Sequence, residues 1–210
     1  MAQTSSNDQV IEDRIARIYA SIDAVVETDL SNLTPTIFVE DKLHVVEFDF
    51  GGNASHAEIE NAAHLLIANI ASLGNHVRRW ARRMKKDLSA IGSLESACPA
   101  IPILIDLWGN EKHGQSERSG DRGKSKRAPL LGELSKSLDL RSGSEPHSGI
   151  SLSIPLTGEA ITQGDGPPNI VISGPIHDDS GEYLGELIDV ARDALTCWEE
   201  LLSEWGIDLK

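Results

Sequence analysis

Aromatic side chains are scarce in this chain, 4 % of 210 residues, and there are only two cysteines and two methionines. A core must therefore be filled mostly by Leu, Ile, Val and Ala, and the length is sufficient to bury one. Cys98 and Cys197 lie far apart and make no Cys-x-x-Cys, nor is there a His-x-x-x-His, so no metal site is expected. Each cysteine reads as a small hydrophobe on an apolar helix face, and in a chain that otherwise reads as cytoplasmic the two are expected to be unlinked. No apolar run approaches the ~20 residues that span a bilayer, so no membrane partner is expected. The opening Met-Ala-Gln-Thr-Ser-Ser-Asn-Asp has neither the basic nor the apolar part of a signal peptide. There is no Gly-x-Ser-x-Gly hydrolase elbow, the Gly-rich stretches are not read as a P-loop, and no internal repeat divides the sequence. A single domain over 1–210 is expected, with no cofactor.

Positive charge is also scarce, but unevenly so. The net charge is −14, yet residues 78–127 hold 12 Lys/Arg against 6 Asp/Glu, a local balance of +6. The rest of the chain is strongly acidic. Such asymmetry bears on partners and long-range fields rather than on fold.

What is present is helical periodicity. Ile11, Ile15, Ile18, Ile22 and Val25 repeat at helix spacing and predict a helix over about 10–28. Residues 36–39 and 43–50 read as two short strands with Glu40-Asp41-Lys42 between them. Ser55 with Glu58 fits a capping box opening a long helix over about 55–88, whose stripe includes Leu66, Ile70, Leu73, Val77 and Trp80. Pro99 and Pro102 suit the first turn of a helix over 99–113, with Trp108 on its apolar side and Gly114 as its stop. These two helices should pack antiparallel and bury Trp80 and Trp108. Residues 115–127 contain no apolar residue and read as a mobile basic loop, and 129–140 as a helical turn leading into a strand. Strands are expected within 150–176, then a last helix over about 182–205.

On the third helix Asp106, Asn110 and His113 fall on one face. An acid, an amide and an imidazole in a row suit proton-transfer chemistry, although a His at a helix C-terminus is also favoured by the dipole alone. Asn110-Glu111-Lys112-His113-Gly114, closing the third of four helices, resembles the HEPN-type helical domains. The family's signature is an Arg, usually followed by a polar residue, then three residues and a His. His113 matches the His, whereas Trp108 and Gly109 stand where the Arg belongs and Asn110 comes one position late.

The resemblance covers the four helices, and the strands read from the residue pattern lie outside it; together they give the expected α+β fold, a four-helix HEPN-like bundle with an N-terminal β-hairpin insertion and a small antiparallel β segment before the last helix. The resemblance also implies metal-independent ribonuclease activity of the toxin or phage-defence type, with the site built across a homodimer. In that chemistry His113 would take the proton from a 2′-OH. Asp106 or Asn110 would orient it, and Lys112 or an Arg would stabilise the phosphorane-like charge. RNA would be held by Arg78, Arg79, Arg82, Arg83 and Arg118. The alternative, given the departure at the Arg, is a non-catalytic helical module that binds a protein partner.

Overall fold

Ile11, Ile15 and Ile18, spaced as one helix face, are fully buried and set the orientation of the first helix. The structure, a computed structural model, describes residues 6–27, 34–40, 43–49, 55–113, 123–139, 150–153, 161–164 and 169–207. The first helix, α1, is Ser6–Asp23. It stops short of the expected 28 because the chain is taken into a sheet instead. The strand β1, Val26–Glu27, pairs through Val26 with Val171 and through Glu27 with Ile170. The expected hairpin follows as β2 (Thr34–Glu40) and β3 (Leu43–Asp49), its first strand longer than the expected 36–39, in antiparallel register with Thr34 opposite Asp49 and Glu40 opposite Leu43.

The long helix α2, His56–Met84, opens with the expected capping box. Its Ser55 N–H donates to Glu58 at 2.7 Å, and Ser55 Oγ accepts from the Glu58 N–H at 3.3 Å. It ends four residues earlier than expected, at Lys85 in the left-handed region (φ 54°). A further helix, α3, Ser89–Ala97, then begins. Asp87 sets its start by accepting from the backbone N–H and hydroxyl of Ser89. Sequence periodicity missed α3 because its only buried residue is Ile91. The next helix, α4, is Ala100–His113, and it leaves α3 at an angle of 89°.

The C-terminal half departs further from expectation. Residues 129–140 hold two strands, β4 (Leu130–Leu131) and β5 (Ser135–Asp139), rather than a helical turn and a strand. Then come β6 (Ile150–Ser153), β7 (Ile161–Gly164), β8 (Asn169–Ser173), β9 (Pro175–His177) and β10 (Tyr183–Glu186). The sheets have the orders β1-β8-β5, β10-β9-β4, β2-β3 and β6-β7, all antiparallel. The last helix, α5, is Leu187–Glu204. Residues 183–186 do not join it as expected, because they pair with β9 around a bulge and Gly185 takes φ 141°. The fold is α+β.

The helices α1, α2, α4 and α5 pack together, and α2 and α5 also lie on β8. Trp198 of α5 is fully buried. A Cβ at Gly74 would come within 3.2 Å of its ring, so the missing side chain admits the indole. Trp80 is buried and stacks on Trp205 at 5.8 Å. Trp108 is only partly buried, contrary to expectation, because Ile103, Leu104 and Leu107 take the core side of α4. Across the α1–α5 contact Tyr19 donates to Glu199, and chiefly that bond pushes its hydroxyl up to about 12.

The two cysteines are also not as expected. Cys98, at the corner between α3 and α4, forms a disulfide with Cys197 of α5. Each does sit on an apolar surface, but the two surfaces face one another, with the Cα atoms 6.6 Å apart. The bridge closes a loop of sequence separation 99. Chain entropy assigns such a loop about 4–5 kcal/mol. Thiol reduction, or Cys98→Ser with Cys197→Ser, is expected to lower the denaturant midpoint markedly. Equal midpoints for the oxidised and reduced protein would show that the link adds nothing to stability.

Candidate functional site

The capping box fixes where α2 begins, and with it the phase of the residues that follow. His56, Glu60 and His64 stand four residues apart and share one face. His56 Nε2 lies 3.2 Å from Glu60 Oε1. Both side chains are largely exposed, so the pair adds only on the order of 0.3 kcal/mol to the helix. His64 is half-buried. Opposite this face, the C-terminal half of α4 brings Leu107 and Asn110, and residues 129–134 make the third wall. The result is an open cleft of about 300 Å³ with imidazoles and carboxylates on an otherwise apolar lining.

The third wall is held by residues the sequence had put forward for catalysis. Asn110 Nδ2 donates to the Pro129 carbonyl at 3.1 Å. Asp106 accepts from the backbone N–H of Lys124 at 2.9 Å and of Ser125 at 2.7 Å. Gly123 takes φ 68°, and a Cβ there would collide with the Asp106 carboxylate at 2.5 Å. The Gly123-Lys124-Ser125 turn therefore offers its N–H groups to an anion, as phosphate loops do, but the anion is the protein's own Asp106. Asp106 is thus a positioning residue for the turn rather than a group that lines the cleft.

Farther along, Arg127 pairs with Glu182 at 2.6 Å and lies 3.7 Å from Asp178. The Ser180 hydroxyl, with backbone N–H groups, holds the Asp178 carboxyl below its usual range. Residues 123–127, expected to be part of a mobile loop, are in this way a pinned turn. Residues 115–122, Arg118 among them, lie outside the described residues, as do the side chains of Lys112 and His113.

The expected RNA-binding arginines stand elsewhere on α2. Arg78 comes fourteen residues after His64, roughly 20 Å along the helix. It is committed to Glu95 of α3 at 2.5 Å, a half-buried pair that Lys124 approaches at 3.9 Å. Arg79, Arg82 and Arg83 are exposed. The structure therefore places Asn110 in the cleft and the arginine cluster far along α2 from it. His56, Glu60 and His64 are not among the site residues expected from the sequence, although their spacing of four on one helix is visible in it. Among the described residues no group of three His, Cys, Asp or Glu side chains is arranged to hold a metal. No single described helix is long and apolar enough to cross a membrane.

In comparisons with known proteins, no family model, no curated protein and no solved structure matches this chain.

Asp106→Ala should release the 123–127 turn while leaving the buried core intact. Limited trypsin digestion should then cut at Lys124, Lys126 and Arg127 faster than in the unmodified protein. An unchanged cleavage pattern would mean that other contacts hold the turn.

Proposed function

We propose that the cleft between α2, α4 and residues 129–134 is the working site, and that it carries out acid–base chemistry on RNA. The observation that supports this reading is the row His56, Glu60 and His64 facing the end of α4 that carries Asn110 and, one turn on, His113. An imidazole base and an imidazole acid are what metal-independent RNA cleavage needs. His113 takes the proton of a 2′-OH, and the 2′-oxygen attacks the adjacent phosphorus. The 5′-oxygen leaves with a proton from His64. Lys112, next to His113, is assigned to the charge on the phosphoryl oxygens. The HEPN resemblance adds that two copies pair and that the setting is toxin activity or defence against phage.

A second reading, the non-catalytic helical module, is favoured by a specific observation: Asp106 and Asn110 both spend hydrogen bonds on the 123–129 segment. One experiment separates the two. Purified protein is incubated with a labelled single-stranded RNA in EDTA, beside His64→Ala and His113→Ala. The nuclease reading expects cleavage that each variant lowers at least a hundredfold, in line with the usual contribution of a general acid or base, with binding retained. Binding without cleavage supports the non-catalytic module, and neither binding nor cleavage at low salt removes RNA as the substrate.

A further inference from the structure

The packing of α1 on α2 assembles a cationic seam that the cleft does not use. Asn69 of α2 donates to Ser21 Oγ of α1 at 2.5 Å, which fixes the level at which the helices meet. Arg14 stands seven residues before Ser21, and His76 seven residues after Asn69. Seven residues is close to two full turns, so in an antiparallel pair Arg14 and His76 meet on the same side of the seam. Arg17 lies one turn from Arg14, and Arg79 one turn from His76. Arg14 and His76 are half-buried, while Arg17 and Arg79 are exposed.

Burial, then Arg14, Arg79 and Arg17, push the His76 imidazole below its usual value. The charged groups acting on it are thus two arginines from α1 and one from α2. Near this level α5 meets α2 through the ring of Trp198 at Gly74, where Arg78 also approaches, and the Glu199 carboxylate next to Trp198 accepts from Tyr19 of α1. Asp13, beside Arg14 in sequence, accepts from Gln9 instead. Among the described residues no carboxylate pairs with Arg14, Arg17 or Arg79. Uncompensated like charges at one seam repel one another, and the repulsion would be relieved by an anion. Three guanidiniums carry more charge than one phosphodiester monoanion balances; a dianion matches them better. Guanidinium forks also suit phosphoryl oxygens.

We propose that the α1–α2 seam binds the dianionic phosphate of a phosphomonoester through Arg14, Arg17 and Arg79, and that the bound charge draws a proton onto His76. This site lies roughly 18 Å along α2 from His64 and does not depend on the cleft's chemistry. In the free folded protein His76 binds a proton less readily than in the unfolded chain, so its contribution to stability is lost as pH falls through about 6.5. A bound dianion reverses that preference, and binding therefore takes up a proton.

Calorimetry and histidine NMR on the full chain test this, with sulfate as a probe that stays dianionic from pH 6 to 8 and with AMP against adenosine. Sulfate is expected to bind severalfold more tightly at pH 6 than at pH 8 and to move the His76 titration upward. AMP should bind and adenosine should not. Arg17→Gln or Arg79→Gln, both at exposed positions, should weaken sulfate about tenfold, whereas His76→Asn should still bind it but lose the pH dependence. Absence of sulfate binding at low salt, equal binding by the arginine variants, or a pH dependence that survives in His76→Asn would each overturn the proposal. Tighter binding of a dinucleotide phosphodiester than of AMP would overturn its monoester part.

Discussion

Burial of one stripe of α2, from Ala63 through Leu66, Ile70, Leu73, Val77 and Ala81, is the contact on which the other elements depend. Three helices pack on this stripe and its flanks, and α2 also touches β8. At 29 residues α2 is long enough to serve several neighbours at different levels. Ser21 and Asn69 register α1, Gly74 admits Trp198 of α5, and His64 and Ile67 face Leu107 and Asn110 of α4. Each buried Leu or Ile in such a stripe contributes roughly 1.5–3 kcal/mol relative to exposure. The polar contacts described above register these helices against one another.

The charge of the basic segment illustrates this division. In sequence it looks like a footprint for a polyanion. In the structure Arg78 is spent on Glu95, Arg127 on Glu182, and the backbone N–H groups of the Gly-Lys-Ser turn on Asp106. These contacts tie α3, residues 123–127 and the β9–β10 region to the helical layer. Arg79, by contrast, acts on His76 together with Arg14 and Arg17, which come from a helix whose own composition is not basic. A local charge count along the chain thus does not show which cations are already paired within the protein.

The cleft and the seam are two products of the same helix. One uses the capped N-terminal half of α2, where His and Glu alternate every four residues, and the other its C-terminal half, where arginines flank the α1 contact. The disulfide joins the α3–α4 corner to α5, so α4, which carries Asn110 into the cleft, is covalently tied to the helix that packs at Gly74. The link bears on the placement of the cleft wall without lining it.

The sequence by itself determined the α+β class, the capping box, the long helix and the β2–β3 hairpin. Each rests on a periodicity or a local hydrogen bond that neighbouring residues fully specify. It also singled out Asp106 and Asn110, whose hydrogen bonds to the 123–129 segment only the folded chain shows. Only tertiary structure decided that 26–27 and 183–186 become strands, since a two- to four-residue strand exists through its partner and not through its own propensity. Only tertiary structure brought Cys98 to Cys197, Arg78 to Glu95, and Arg14 to His76. These pairs join residues of separate elements, and the geometry that joins them is fixed by how the apolar faces of α1, α2, α4 and α5 settle against one another, which no local pattern encodes.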